Sequence, residues 1–330
     1  MTFESIIGQD RPIGFLTQML QKGSIPHSLL FTGIDGIGKR KTAVALGMAL
    51  NCLNPVGVSA CGECLSCHKI ISGSHPDMFT VKPAGVFIKI DQVRDVSREL
   101  RFAPLEGNKR IVIINDAQAM NLQASNAILK ILEEPPMHTI LILTATQTTD
   151  LLPTIVSRCQ QVAFRPIPYD KVAEVLVDLR GLEIETATTL AVLTKGSLGK
   201  ALSVDGEEWT VWRSSLLEQV SSFSTRSIQP VFAFAETLSG DKDRLADALD
   251  MLMTWFRDAL MYKVSPERII NKDLMDKIQH ASKGQSISEL LGKIEVVNSA
   301  QAAISRNSNP RLTLDVMMMR LCSEQEVEGR

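Results

Sequence analysis

The run Ser28-Leu-Leu-Phe-Thr32 leads without interruption into Gly33-Ile-Asp-Gly-Ile-Gly-Lys39, and a helical pattern follows from about Lys39 to Leu53. A buried strand, a glycine-rich turn and a helix in that order satisfy G-x-x-x-x-G-K in its structural context. Gly33, Gly36 and Gly38 let backbone N–H groups curl around a phosphate, and Lys39 can reach the terminal phosphates. A glycine-rich turn that binds nothing is the bland alternative. The next residue, expected to be Ser or Thr as a Mg²⁺ ligand, is Arg40, and Thr42 stands two positions too late. The motif predicts nucleotide binding and little unaided hydrolysis.

The same strand–helix alternation continues. Apolar strands are expected at Arg110–Ile114, Ile140–Thr144 and Gln161–Phe164. Between them lie a helix capped by Asp91, with Val93, Val96 and Leu100 on one face, and a helix through Leu122, Ile128 and Leu132 that must stop before Pro135-Pro136. Such alternation implies a mostly parallel α/β sheet with right-handed crossovers. The pattern changes after Phe164. Arg165-Pro-Ile-Pro168 looks like a linker, and helical periodicity dominates beyond it, as in Leu245, Leu249, Leu252, Met253, Phe256 and Leu260. The tail Ser323–Arg330 is polar and expected to fray.

Lys plus Arg number 35 and Asp plus Glu 37, so overall basic charge does not hold this chain to nucleic acid. The longest uncharged run, Thr42 to Gly62, is broken by Asn51, Asn54, Pro55 and Gly57 and cannot span a membrane. The start, Met1-Thr2-Phe3-Glu4-Ser5, has no secretory pattern, which leads to an expected cytoplasmic location with reduced thiols.

Four of the six cysteines, Cys52, Cys61, Cys64 and Cys67, fall within sixteen residues as C-x8-C-x2-C-x2-C. That set matches a closed tetrahedral structural zinc site, with His68 or His75 in reserve. Cys64-Leu-Ser-Cys67-His68 also fits c-type haem attachment, and an iron–sulfur cluster is a third option. Cys159 and Cys322 stand apart as buried small hydrophobes. After Ile111–Ile114 the chain reads Asn115-Asp116-Ala117-Gln118, one carboxylate where a metal-handling strand end wants two. Asp116 is either that acid or the cap of a turn.

Together these residues resemble the AAA+ clamp-loader family of bacterial DNA polymerase III, in its delta-prime branch. The resemblance rests on Ile7-Gly8-Gln9, the glycine loop, the cysteine module, His75-Pro76-Asp77, the run Asn126 to Pro136 ending Leu-Glu-Glu-Pro-Pro, Ser157-Arg158-Cys159 and Asn309-Pro-Arg-Leu-Thr-Leu314. It implies a RecA-like AAA+ domain over 1–165 carrying the zinc module (52–67), a helical lid over 166–204 and an all-α collar over 205–330. It implies that Arg158 is an arginine finger acting in trans, that Ile7 and Gly8 border adenine, and that Gln147 and Lys200 mark sensor positions. The implied partners are gamma/tau and delta subunits in a hetero-pentamer, with the sliding clamp and primed DNA reached through it and no membrane. The gamma/tau motor branch should keep Lys-Ser/Thr and an Asp-Glu pair, and this chain departs at both. The implied cofactors are structural Zn²⁺ and weakly held ATP/Mg²⁺, with no polymerase activity and weak or no ATPase. The alternatives are a gamma/tau-type ATPase and a zinc- or redox-sensing regulator with a vestigial nucleotide fold.

Overall fold

The computed structural model describes residues 2–223, 229–305 and 308–323; the tail 324–330 lies outside the described residues. The chain divides into two compact units, Met1–Gly181 with Thr194–Ser203, and Leu182–Leu193 with Val204–Arg330.

The first unit is built on five parallel strands: β1 (Ser28–Thr32), β2 (Met78–Val81), β3 (Arg110–Ile114), β4 (Thr139–Ala145) and β5 (Gln160–Ala163). They lie in the order β2-β3-β4-β1-β5. Every residue of β3 and β4 is buried, as expected for strands covered on both faces. The expected strands at 110–114, 140–144 and 161–164 therefore stand, with one-residue changes of boundary. The edge strand β2 was not legible: it has four residues and only Val81 is buried, so no apolar run announces it.

Helices α1 (Asp10–Gln21), α2 (Lys39–Asn51), α3 (Leu65–Ser72), α4 (Ile90–Glu99), α5 (Leu122–Glu133) and α6 (Pro153–Val156) connect and flank the strands. Asn121 caps α5 by accepting the Ala124 N–H at 2.8 Å, and the helix ends ahead of Pro135. The expected cap of α4 is corrected. Lys89 is the N-cap, its N–H donated to Gln92 Oε1 at 3.0 Å, and Asp91 sits inside the first turn, where its charge favours the helix N-terminus. Beyond β5 come α7 (Tyr169–Arg180), α8 (Ile184–Leu193) and α9 (Leu198–Ser203), of which α8 belongs to the second unit. Gly181 ends α7 in the left-handed region at φ 64°.

The second unit continues with α10 (Gly206–Ser222), α11 (Gln229–Ser239), α12 (Lys242–Val264), α13 (Met275–Ser282), α14 (Ile287–Ser305) and α15 (Pro310–Ser323). Leu245, Leu249, Leu252 and Phe256 form a buried stripe on α12 and pack with Val297 of α14 and Leu314 of α15. Each fully buried leucine contributes roughly 1.5–3 kcal/mol. Among the described residues no helix is long and apolar enough to cross a membrane. The architecture is a parallel five-stranded α/β unit followed by a helical region.

Candidate functional site

The glycine loop leaves the C-terminal end of β1, between β4 and the edge strand β5, and α/β folds gather their ligands at the C-terminal ends of their strands. Gly33, Gly36 and Gly38 have φ of 143°, 76° and 104°, a region costly for other residues. A side chain on Gly33 would also lie 2.7 Å from the Phe164 carbonyl. Gln9, 1% exposed, donates to the carbonyls of Ile37 at 3.1 Å and Arg165 at 2.7 Å, tying the loop to the segment after β5.

Lys39 is folded back onto its own loop. Its Nζ donates to the Gly33 carbonyl, to the Ile34 carbonyl at 2.9 Å and to Asp35 Oδ1 at 3.1 Å. A phosphate must compete with these acceptors and tolerate the nearby Asp35 carboxylate. Arg40 is exposed at the start of α2, and Thr42 is fully buried with its hydroxyl donated to the Gly38 carbonyl at 2.9 Å, so it offers nothing to a metal.

A cleft of about 790 Å³ opens beside the loop. It brings together Ile7, Gly36, Gly38, Lys39, Arg40 and Asp116 from the expected set. Asn115 and Thr144 line it too, and both Asn115 side-chain polar atoms are buried without a hydrogen-bond partner. Asp116 has φ 54° and donates its N–H to Thr144 Oγ1 at 3.1 Å. Burial raises its carboxyl pKa, Asp35 adds to that, and Lys39 and Arg40 oppose it. Gln147 is exposed and does not line the cleft, so Thr144 is the β4-end residue that faces it. Gly33 and Gly8 support the cleft from outside. A side chain on Gly8, at φ 71°, would lie 2.7 Å from Ile167 Cγ2.

The residues ahead of and within α9 press on the loop from the other side. Ser197 Oγ donates to the Asp35 carbonyl at 2.6 Å, and the Gly199 N–H donates to the Gly36 carbonyl at 2.8 Å. Leu198, Gly199 and Leu202 line the cleft; Lys200 does not, and it meets Gly36 through its backbone N. Asp35, Ser197 and Thr144 were not singled out as site residues in the sequence, and Gln9 was noted only within the Ile7-Gly8-Gln9 run. An acid inside a phosphate loop was the one available signal.

Arg158 follows α6 on the way to β5 and lies outside the cleft. Its Nη2 pairs with Glu133 Oε1 at 2.8 Å and its Nη1 donates to the Thr154 carbonyl at 3.0 Å. Glu133 belongs to the Leu-Glu-Glu-Pro-Pro run, so two separately noted motifs meet here.

Cys52, Cys61, Cys64 and Cys67 converge between α2 and α3, their sulfurs all within 4.8 Å of one another. Cys52 Sγ lies 3.5 Å from Cys61, 3.9 Å from Cys64 and 3.7 Å from Cys67. A tetrahedron with metal–sulfur bonds of about 2.3 Å has edges of about 3.8 Å, so the four fit a single ion. A cubane cluster puts each thiolate on its own iron and spreads the sulfurs further. Backbone N–H groups of Cys61, Cys64 and Cys67 donate to the sulfurs of Cys52, Cys61 and Cys64 at 3.3, 3.3 and 3.5 Å, which favours thiolates. At Cys64 burial pushes the pKa up, yet the N–H groups of Cys67 and Leu53 with the neighbouring thiols bring it down to about 6. His68 and His75 are not among the converging ligands; His75 is buried with Nδ1 accepting the Asp77 N–H at 3.1 Å.

This module is tied to the sheet. Ser66 Oγ donates to the Asn51 carbonyl at 2.7 Å, Asn51 exchanges two 2.9 Å hydrogen bonds with the Lys109 backbone, and Lys69 pairs with Glu106 at 2.6 Å. The buried Asp77 accepts the N–H groups of Leu105, Glu106 and Gly107 at 2.8, 2.8 and 2.7 Å.

Comparison with known proteins agrees with this geometry. A family profile described as DNA polymerase III, delta subunit matches residues 8–168, and one described as DNA polymerase III, delta subunit, C terminal matches residues 207–322. The chain is 35% identical over 237 residues to DNA polymerase III subunit delta' of Pseudomonas aeruginosa, covering 70% of each. It is 28% identical over 318 residues to subunit delta' of Bacillus subtilis, covering 95% of this chain and 96% of that one. Subunit tau of Bacillus subtilis is 26% identical over 345 residues, 97% of this chain but only 61% of tau. Matched at both ends and along nearly the full length of a delta' subunit, the chain belongs to the delta' family of DNA polymerase III subunits.

Proposed function

We propose that this chain is the clamp-loader subunit that completes a neighbour's ATP site while hydrolysing little or nothing itself. The observation that carries it is the separation of the two catalytic halves. Arg158 stands on the surface away from the chain's own cleft, while that cleft has Arg40 and Asn115 where metal-handling groups belong. In phosphoryl transfer a guanidinium supplied across an interface stabilises charge on the γ-phosphate oxygens. The chain's own site holds ATP weakly, through the loop N–H groups, Lys39 and Ile7, with Asp116 as the remaining acid toward Mg²⁺.

The partners in this role are gamma/tau and delta subunits, with the sliding clamp and primed DNA engaged by the assembled complex in the cytoplasm. Residues 1–165 act as the AAA+ domain, 166–204 as its lid and 205–330 as the collar that holds the assembly. Structural Zn²⁺ on Cys52, Cys61, Cys64 and Cys67 fixes the module between α2 and α3; four thiolates supply the charge and geometry that closed zinc sites use.

The test is reconstitution. Mixing the chain with gamma/tau and delta should give a stable complex whose clamp- and DNA-stimulated ATPase exceeds that of the loader lacking it, while the isolated chain turns over ATP negligibly. Robust turnover by the isolated chain, abolished by Lys39→Ala, would favour a gamma/tau-type motor, the second reading that the retained Lys39 and the likeness to tau support.

A further inference from the structure

Beside a bound nucleotide, Mg²⁺ is held by one or two carboxylates together with phosphate oxygens and water. The cleft beside the glycine loop offers it little. Thr42 is fully buried and its hydroxyl is spent on the Gly38 carbonyl at 2.9 Å. Arg40, a cation, stands where a hydroxyl ligand is expected, and it lines the cleft. Asp116 is the acid that remains at the end of β3, and the charges of Lys39 and Arg40 both act on its carboxyl. Asp35 is engaged by Lys39 at 3.1 Å. One carboxylate offset by two cations does not fit Mg²⁺.

The fixed charges suit a different guest. Lys39, Arg40, Lys41 and Lys82 line the cleft against two acids, Asp35 and Asp116. An excess of cations in a cleft with low-dielectric walls draws in a polyanion and repels a divalent cation. Asn115 is an independent observation in the same direction. It is 6% exposed and lines the cleft, and neither polar atom of its side chain has a hydrogen-bond partner among the described residues. Its amide is short of partners and carries no charge to repel a phosphate. A carboxylate at that position would need a metal to screen it; the amide needs none.

We propose that this cleft takes its nucleotide as the metal-free polyphosphate anion, with the Arg40 guanidinium in place of the divalent cation on the terminal phosphates. The proposal rests on the reading that the cleft holds a nucleotide, and it names the form in which that nucleotide is held. A guanidinium is suited to the exchange, because it is permanently charged and its planar fork matches phosphate oxygens. Occupancy is thereby separated from hydrolysis, since phosphoryl transfer at such loops relies on a metal bridging the β- and γ-oxygens.

The test is titration of a fluorescent ATP analogue into the full chain, in excess Mg²⁺ and in buffer stripped of divalent cations by a resin. Added chelator is avoided so that the cysteine module is not challenged. Affinity without Mg²⁺ should exceed that in excess Mg²⁺ several-fold. Arg40 is exposed, so Arg40→Met should keep the unfolding midpoint. It should lose about tenfold in metal-free affinity, the worth of a charge-assisted hydrogen bond, and Mg²⁺ should now strengthen its binding. Lys82→Met removes an equal charge from the cleft and should lose far less. Binding that requires Mg²⁺, undiminished metal-free binding by Arg40→Met, or equal losses in Arg40→Met and Lys82→Met would overturn this proposal and leave the nucleotide reading standing. No saturable binding in either buffer would remove the nucleotide reading itself, and this proposal with it.

Discussion

Arg158 and Glu133 form an ion pair at 2.8 Å, with side chains 36% and 51% exposed. Pairs this open to water contribute about 0–1 kcal/mol. The guanidinium is thus held in place without being committed, and in the proposed role breaking this pair to reach a neighbour's nucleotide would cost little. Arg158→Ala should leave the unfolding midpoint and complex formation unchanged and lower the stimulated ATPase and clamp loading of a reconstituted complex. GTPase fingers are worth ~10³–10⁵ in rate; other ATP sites in the complex make the bulk loss smaller. Arg158→Lys should rescue poorly, because an ammonium lacks the planar fork. Glu133→Gln should retain activity. Unchanged rates with Arg158→Ala in an intact complex would return Arg158 to an ordinary ion-pair role.

Nucleotide affinity should rise when the obstacles around Lys39 are removed. Asp35→Asn takes a carboxylate out of the loop and weakens its hold on Lys39, so ATP affinity should increase several-fold even without Mg²⁺. Arg40→Thr with Asn115→Asp should instead improve Mg²⁺-dependent binding before any gain in turnover. Titration of a fluorescent ATP analogue with and without Mg²⁺ separates the two effects.

Gly199 sits so close to the loop that an added Cβ would lie 2.8 Å from Gly36 Cα and 3.1 Å from its carbonyl oxygen. Both neighbours are backbone and cannot swing aside. Gly199→Ala should destabilise the first unit by about 1–3 kcal/mol, read as a lower denaturant midpoint. Ala at Gly14, where an added Cβ meets nothing within 4 Å, is the control.

Asp77 gives the fold an acid-sensitive contribution. Burial alone would raise its pKa, but the N–H groups of Glu106, Gly107 and Leu105 and the Arg110 guanidinium outweigh that and hold it below the ordinary carboxylate range. A lowered folded-state pKa means stabilisation that is complete above about pH 4 and is lost as pH falls through the folded value. Asp77→Asn should cost about 2–4 kcal/mol at neutral pH. The gap between variant and wild type should narrow toward pH 3, as paired denaturation curves at the two pH values would show.

Elemental analysis of chain purified without added metal should find one zinc per chain. A strong chelator should release it with uptake of protons by the thiolates, and Cys64→Ser should lower retention. Iron, or no metal, would overturn the assignment.

What the chain discloses about itself depends on how local each signal is. The strands β3 and β4 were readable because burial on both faces demands an uninterrupted apolar run, and the cysteines because their close spacing alone lets four thiols converge. The edge strand β2 was hidden because its partnership with β3 supplies what its four residues do not. Asp116, Asn115 and Lys39 were expected together, and the structure gathers them at one cleft, because strand ends and a glycine loop announce their neighbourhood. Ser197 and Gly199 were not placed on the loop: their contact joins positions more than 150 residues apart, 36 and 199, and no periodicity encodes it. Gln147 fell outside the cleft for a related reason, because only the register of β4 shows that Thr144 is the residue turned inward.

The tether between the cysteine module and the sheet has a mechanical corollary. Asn51 closes α2, whose first residue is Lys39, and the same side chain grips Lys109 immediately before β3, whose far end delivers Asn115 and Asp116. Cys52 is the next residue along. Metal loss would therefore slacken the common anchorage of the two rods that carry the opposite banks of the cleft, and a thiol-directed insult some distance away would be felt as misalignment between the loop lysine and the strand-end acid.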